Sequence, residues 1–316
     1  MSKQEKTLTV GNDSAERSDG ETEFKTVTPA EEYPKLTASL GLRRLFLKRE
    51  DLHPYGSHKG RSIPRMIDLY KSEGTRRFAI SSSGNAGLAA VRHFATLSEK
   101  DLSLTVFIGK NINEEKKKEL AKTKDGRIEI IEEERPKQKL LEFTKSGEVR
   151  SLRQSTDDTA LIGYFELAEE ILEIPDVRDI FTACSSGTTA EGLAADIYRR
   201  NKLVAHHITQ TSGCNAIARL LLGKKAEEVA EEKSLADAIV DKIGHRKERV
   251  KLFVNKSGGG AWIVSNEEIL VAQKLVKEKA DLELTPNGVL AIAGLIQAVR
   301  ENRNFDGTVV CLVGGK

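Results

Sequence analysis

Residues 48–61 read Lys-Arg-Glu-Asp-Leu-His-Pro-Tyr-Gly-Ser-His-Lys-Gly-Arg and separate two apolar runs of different period. The run before them, 45–47, is typical of a strand, whereas the apolar side chains of 63–70 have the spacing of a helix face. The Gly-Ser pair permits a tight turn and a helix cap, which places Lys59 in the first helical turn. Backbone N–H groups and positive charge there favour a neutral amine, the nucleophile that forms an imine. A lysine at such a position is also commonly a plain surface residue, so the segment alone leaves both interpretations open.

The alternation of short apolar runs with helical periodicity continues along the chain. Strands are predicted at 78–80, 104–108, 128–131, 180–181, 204–208, 252–254 and 308–313. Helices are predicted around 88–95, 165–172, from 190, at 265–276, where Ser265 and Glu268 form a capping box, and at 289–299. Repeated βα units predict an α/β chain with parallel-rich sheets flanked by helices and with ligands at the carboxyl ends of the strands.

Two further turns between a predicted strand and a predicted helix are rich in small hydroxyl side chains. Residues 81–87 read Ser-Ser-Ser-Gly-Asn-Ala-Gly, and exposed N–H groups at a helix start could hold a carboxylate there. Residues 184–192 read Cys-Ser-Ser-Gly-Thr-Thr-Ala-Glu-Gly, which is typical of a phosphate cup at a helix N-terminus. This second turn lacks the lysine of a P-loop and the glycine pattern of a dinucleotide site. Each turn taken alone is also compatible with an ordinary helix cap.

Composition limits the classes of function. The 316 residues include 50 Lys and Arg against 48 Asp and Glu, and a formal net charge of +2 predicts neither nucleic-acid nor membrane-surface binding. The sequence has no apolar run of membrane-spanning length, and its three cysteines show no metal-type spacing, so we expect a cytoplasmic protein without a metal site. Residues 1–23 are polar and lack periodicity, which predicts a disordered tail.

Taken in order, these segments resemble the tryptophan-synthase-β-like (fold type II) family of pyridoxal-phosphate enzymes, which includes threonine synthase, threonine dehydratase and cysteine synthase. The resemblance runs from about Tyr33 to the C-terminus, through the KREDL and GSHK segment, the SSGN turn, the SSGTT turn, Pro286-Asn287-Gly288 and the terminal Gly pair. It implies pyridoxal 5′-phosphate on Lys59, with Asn85 at the cofactor's 3′-oxygen. It further implies a phosphate loop of Ser185, Ser186, Gly187, Thr188 and Thr189, and a substrate-carboxylate loop of Ser82, Ser83, Gly84, Asn85 and Ala86.

The resemblance also implies a division into domains and a class of reaction. A smaller domain of 48–150 would carry the carboxylate loop, and 24–47 with 151–316 would form a larger domain with the phosphate loop. The expected activity is β- or γ-elimination or replacement on a small amino acid, most similar to threonine synthase, and a homodimer is expected. A threonine or serine dehydratase, a cysteine-synthase-like enzyme and a non-catalytic cofactor- or amino-acid-binding relative remain alternatives.

Four positions depart from the family pattern. His58 stands where Phe is usual, Gly60 where Asp or an aliphatic residue is usual, and Thr285 where many members have Glu. Val313 occupies the position that commonly supplies a Ser, Thr or Cys hydrogen bond to the pyridine nitrogen, so the resemblance implies a cofactor contact there without a polar group. The departures at Val313, His58 and Thr285 motivate the non-catalytic alternative.

Other conspicuous side chains are interpreted as structural. Trp262 lies beside a Gly run just before a helix cap and is expected to pack in the core. His206 and His207 alternate on a strand, so at most one can face a site. Cys184 borders the predicted phosphate cup and is expected to be a buried thiol.

Overall fold

A computed structural model describes residues 26–82, 84–110, 112, 114–226 and 230–315. Its strands are β1 Ala30–Glu32, β2 Arg44–Lys48, β3 Arg77–Ser81, β4 Ser103–Gly109, β5 Ile128–Glu133, β6 Arg150–Ser151, β7 Val177–Ala183, β8 Ala205–Thr211, β9 Gly260–Val264 and β10 Thr308–Leu312. The predicted disordered tail, 1–23, lies outside the described residues. No helix among those residues is long and apolar enough to cross a membrane.

The helices cover both faces of the sheets. They are α1 Pro34–Ser39, α2 Lys59–Ser72, α3 Asn85–Phe94, α4 Glu114–Ala121, α5 Pro136–Phe143, α6 Thr159–Ile162, α7 Phe165–Leu172, α8 Thr188–Arg199, α9 Ala216–Leu222, α10 Lys247–Ser257, α11 Asn266–Ala280 and α12 Pro286–Arg300. Short 3-10 turns occupy Glu50–Leu52 and Gly223–Ala226.

The described strands form two sheets. The larger has the order β1-β2-β10-β7-β8-β9 and the smaller the order β5-β4-β3-β6. All pairs are parallel except the antiparallel pair of β1 and β2, which closes one edge. Parallel strands need crossover helices, and burial on both faces makes their sequences almost continuously apolar. The predicted α/β architecture is confirmed, while the division into domains at 48–150 stays a prediction.

The segment 48–61 joins the sheets through a buried ionic network. Lys48 Nζ lies 2.5 Å from Glu170 Oε2, and Arg61 pairs with Glu170 at 2.6 Å and with Glu50 at 2.8 Å. Burial opposes ionisation of Glu170, yet the hydrogen bonds from Arg61 and Lys48 hold the pKa of its carboxyl below the usual value. Removing one partner of such a network costs roughly 3–5 kcal/mol, because the other charge stays buried. The charges of this segment therefore fix the start of α2 against α7.

One predicted strand is wrong. Residues 252–254 lie inside helix α10, where Val250 and Val254 are buried one turn apart while Leu252 is 44% exposed. The apolar run was too short for its period to be judged, and the charged residues around it belong to the exposed helix face. The strand of this region is β9, which begins at Gly260 and contains Trp262.

Most other predicted elements are confirmed. Helix α7 spans Phe165–Leu172 as expected, and Ser265 forms a capping box with Glu268 at the start of α11. Trp262 is buried, with its ring centroid 5.2 Å from that of Phe181, which confirms its packing role. His207 contacts both rings and also lies 2.8 Å from Asp179.

Candidate active site

Lys59 is the first residue of α2 and lies where three chain segments converge. Its backbone N–H donates to Ser57 Oγ at 3.3 Å, and Ser57 forms an isolated β-bridge with Gly315. His58 N donates to Gly314 O at 2.9 Å. The two residues before Lys59 are therefore both paired with the C-terminal segment, Gly314 and Gly315. Lys59 is partly exposed, so its amine is accessible to a ligand. The interpretation of Lys59 as a helix-start residue is confirmed by these contacts.

The carboxylate turn, residues 82–86, follows β3 and opens α3. Gly84 is the N-cap residue of the helix, and its N–H donates to Ser82 Oγ at 3.3 Å. Ser82, Gly84, Asn85 and Ala86 are each partly exposed, so their polar groups remain accessible to a ligand. Ser83, predicted to bind substrate, lies outside the described residues.

Asn85 of the carboxylate turn and Ser57, two residues before Lys59, both lie against Gly315 in the C-terminal segment. A methyl group on Gly315 would lie 2.7 Å from Asn85 Nδ2 and 2.6 Å from Ser57 Cβ. Only a residue without a side chain fits between these two groups. The geometry thus brings Asn85 and the start of α2 to the same place.

The phosphate turn, residues 185–189, follows β7 and opens α8. Gly187 caps the helix with φ of +100°, a conformation that disfavours other residues. Ser186 Oγ lies 3.1 Å from Thr188 Oγ1, and the first N–H groups of α8 have no partner within the helix. Cys184 lies directly before this turn, and burial raises the pKa of its thiol to about 12. The positive charge of nearby Lys59 acts in the opposite direction and lowers that pKa. This buried, protonated Cys184 is consistent with a structural role.

The phosphate turn is held by groups that sequence reasoning missed. Gln210 Nε2 donates to Cys184 O at 3.0 Å and to Ser185 O at 3.3 Å, and its Oε1 accepts from the N–H groups of Ile217 and Ala218. One amide side chain therefore joins the turn after β7 to the start of α9. Gln210 lies near the carboxyl end of the buried strand β8, where an amide side chain is expected to find hydrogen-bond partners.

Ser185 has a hydroxyl suited to an anion. Its Oγ accepts hydrogen bonds from Val240 N and Asp241 N, both at 3.1 Å. Because both lone pairs are occupied, the single O–H proton remains for an outside acceptor. This hydroxyl and the N–H groups at the start of α8 are suitable donors for a phosphate. The residues of this turn therefore fit a cofactor that carries a phosphate group and lies beside Lys59.

Val313 lies at the carboxyl end of β10 and is fully buried. Its backbone bonds Lys48 O and Asp51 N, and its side chain lies 3.5 Å from the place a Gly288 methyl would occupy at the start of α12. Thr285, the other departure nearby, caps α12 by accepting from Gly288 N at 3.2 Å. Thr285 therefore stabilises the start of α12, and this role does not depend on the cofactor.

The structure also explains Gly60 and characterises His58. A methyl group on Gly60 would lie 2.2 Å from the ring of His53, so the histidine occupies the space of a side chain. Burial lowers the pKa of His53 to about 4. The Nδ1–H of His58 donates to Gly314 O, and burial, aided by the charge of Lys59, lowers the pKa of His58 to about 3. Both rings beside Lys59 are therefore neutral at pH 7.

Lys59 lies at the start of a helix, near the phosphate turn and near the accessible carboxylate turn. This arrangement is suited to an α/β enzyme that holds a phosphorylated aldehyde. The family described as pyridoxal-phosphate dependent enzyme matches residues 22–315. The chain belongs to this family, and pyridoxal phosphate is its cofactor. When bound, this group withdraws electrons from the substrate carbon attached to the amine.

Curated relatives and solved structures agree with this assignment. Biosynthetic L-threonine dehydratase of Pasteurella multocida is 25% identical over 295 residues, which cover 92% of this chain but 56% of that protein. Threonine synthase of Halalkalibacterium halodurans is 24% identical over 302 residues, 91% of this chain and 81% of the relative. The chain thus spans little more than half the length of the dehydratase.

The solved structures show the fold. An aspartate racemase dependent on pyridoxal 5′-phosphate has a TM-score of 0.78 at 18% identity, covering 92% of this chain and 90% of that one. Maize serine racemase has a TM-score of 0.75 at 18% identity, covering 92% and 88%. The predicted family, fold class and cofactor are confirmed.

Proposed function

We propose that the chain catalyses β- or γ-elimination or replacement on a small amino acid, with the cofactor attached to Lys59. The observation that carries this proposal is the convergence of Lys59, Asn85 and the phosphate turn. Threonine synthases among the relatives support a replacement, and the dehydratase supports an elimination that shares its first steps. The SSGNAGLAA segment and 48–61 favour the threonine-synthase-like form.

Each group has a defined task in this proposal. The phosphate turn would hold the cofactor phosphate through Ser185 to Thr189, and Asn85 would hydrogen-bond the cofactor's 3′-oxygen. The carboxylate turn would hold the substrate carboxylate on the N–H groups at the start of α3. Lys59 would bind the cofactor through its ε-amine, and the same amine would move a proton at the substrate Cα. The neutral rings of His53 and His58 add no competing positive charge beside it.

A non-catalytic binding role is the second candidate, and Val313 is the observation that favours it. A pyridine nitrogen beside a buried apolar side chain finds no hydrogen-bond donor or acceptor there. Electron withdrawal by the ring would then be weaker, although the cofactor would still bind through its phosphate and Lys59. Cofactor binding without turnover is the expected signature of this role.

Attachment to Lys59 is tested by replacing Lys59 with Ala. The side chain is partly exposed and contributes little packing, so we expect an unchanged melting temperature of the apo protein but loss of the visible absorption band of the bound cofactor. Lys256→Ala, a helix-surface lysine above the ring of Tyr198, is the matched control. Borohydride reduction followed by peptide mapping should label Lys59, and a label on Lys48 or Lys256 would refute the assignment.

A further inference from the structure

Arg153 lies between the carboxylate turn and the phosphate turn. Leu152 N donates to Ala79 O at 2.9 Å, which extends the pairing of β6 with β3 and places Arg153 beside the end of that strand. On the other side, Gln154 O accepts from Thr188 Oγ1 at 3.3 Å, in the phosphate turn. Gln154 Nε2 donates to Ser62 Oγ at 2.7 Å, one helical turn after Lys59. The backbone of Arg153 is thus fixed among the elements that form the site.

The guanidinium of Arg153 extends to the strap, defined as residues 230–246, which covers the phosphate turn. Its NH2 donates to His245 Nε2 at 2.8 Å, and its Nε to Ser155 Oγ at 3.2 Å. Arginine cannot accept a hydrogen bond, so Nε2 of His245 is the acceptor in this contact. The strap itself is bound to the turn through Val240 N, Asp241 N and Ser185 Oγ.

The charge of Arg153 is not balanced by a carboxylate among the described residues. Asp157 accepts from Tyr70 at 2.6 Å and from Arg150, and Asp158 pairs with Arg246 and Arg249, each at 2.8 Å. Asp241 of the strap accepts from the N–H groups of Ile243 and Gly244 within its own turn. The neighbouring acidic groups are therefore committed to other donors.

The hydrogen-bond inventory of Arg153 leaves one side of the guanidinium available. Of its five N–H groups, Nε–H and one NH2 proton are used by Ser155 and His245. Among the described residues, both NH1 protons and the second NH2 proton have no acceptor, and this is the set that binds a planar carboxylate through two parallel hydrogen bonds. The single positive charge of the guanidinium matches one carboxylate better than a phosphate dianion.

We propose that Arg153 and His245 form a subsite for the side-chain carboxylate of the substrate, which is then a short dicarboxylic amino acid that also carries a leaving group on Cβ or Cγ. L-aspartate, which has no such leaving group, serves in the test as a binding probe and not as a substrate for turnover. The inference rests on the proposed function, because it assigns the second end of the substrate whose α-carboxylate binds residues 82–86. Arg153 selects the substrate, while Lys59 and the two turns perform steps common to any amino acid.

The test compares ligand binding to the cofactor-loaded protein. L-aspartate, O-phospho-L-serine and L-serine are titrated by the change in cofactor absorbance, and succinate, which has no amine, is titrated by calorimetry. Arg153→Met removes the charge, and Arg153→Lys keeps it without the paired donors. Arg150→Met, which lies on β6 just before Arg153, is the control. The melting temperature and the cofactor Kd of each variant are measured alongside.

We expect Arg153→Met to weaken aspartate and succinate binding at least tenfold, with serine and cofactor Kd values within about twofold of native. Arg153→Lys should fall between, and Arg150→Met should match the native protein. Equal losses for aspartate and serine, weaker cofactor binding alone, or a loss confined to O-phosphoserine would each overturn the subsite. If the protein takes up no cofactor, the proposed function fails, and succinate binding to the native and Arg153→Met proteins still decides the subsite.

Discussion

The phosphate turn and the carboxylate turn begin helices in the same way but are held differently. In the phosphate turn, Gln210 binds two carbonyls and Thr188 and Thr189 are buried. The described residues of the carboxylate turn are all partly exposed, and the hydrogen bond from Gly84 N to Ser82 Oγ is local to the turn. The first turn belongs to the larger sheet and the second to the smaller.

This difference matches what each turn has to bind. A resident cofactor favours a turn whose donors are already oriented, because no ordering cost is then incurred on binding. A substrate that enters and leaves needs access, and closure of the smaller unit onto the larger would exclude water once it is bound. The ionic network of Lys48, Arg61 and Glu170 keeps the start of α2 fixed to the larger sheet during such a movement.

The largest expected effect comes from breaking the rigid turn with Gly187→Val. The residue adopts φ of +100°, and a Cβ there would lie 2.9 Å from Val250 Cγ2 and 3.1 Å from Arg246 Cβ. Strain and contact together should weaken cofactor binding more than 100-fold, on the order of 3 kcal/mol. Thr189→Ala removes one hydroxyl among several donors and should cost about tenfold or less.

Equilibrium dialysis of the cofactor measures both Gly187→Val and Thr189→Ala. Gly147→Val is the control for backbone strain, since Gly147 has φ of +83° with open space around it. Cofactor retention by Gly187→Val equal to that of the native protein would exclude this turn as the phosphate site.

A smaller effect is expected when the exposed turn is displaced by Gly87→Ala. A Cβ at this position would lie 2.4 Å from Ser82 O, so the turn must move by several tenths of an ångström. We expect substrate binding to weaken about tenfold while the cofactor Kd stays near native, because the phosphate turn lies on the other sheet. Gly109→Ala, at the end of β4 with open space, is the control. Loss of cofactor and substrate binding in equal measure would contradict the separation of the two turns.

The fold could be predicted where the apolar residues have a clear period and where the motifs follow one another in the order typical of the family. The βα alternation and the residues 48–61, 81–87 and 184–192 were sufficient for the family, the sheet class and the convergence on Lys59. Residues 252–254 were misassigned because three apolar residues carry no resolvable period. The roles of Gln210 and Arg153 depend on contacts across strands, which spacing along one chain does not reveal.

The smallest expected effect is the sharpest test of whether the chain turns over its substrate. Val313 is buried beside the start of α12, and the family resemblance places the pyridine nitrogen against it. Thr is close to Val in shape and adds one hydroxyl, so Val313→Thr offers the ring a hydrogen bond with little steric change, at a cost of about 1–3 kcal/mol if the hydroxyl finds no partner.

We expect Val313→Thr to raise turnover of the best amino-acid substrate a few-fold, because a hydrogen bond to the ring nitrogen improves electron withdrawal from the substrate carbon. Stopped-flow absorbance at matched cofactor loading measures the rate, and Val310→Thr, a fully buried valine on β10, controls for placing a hydroxyl in the core. A rate that is unchanged or lower would mean that residue 313 does not face the ring nitrogen or that the chain binds its amino acid without converting it. Cofactor affinity separates these outcomes from misfolding, since the phosphate turn, anchored by Gln210, is independent of Val313 and should hold the cofactor equally in both proteins.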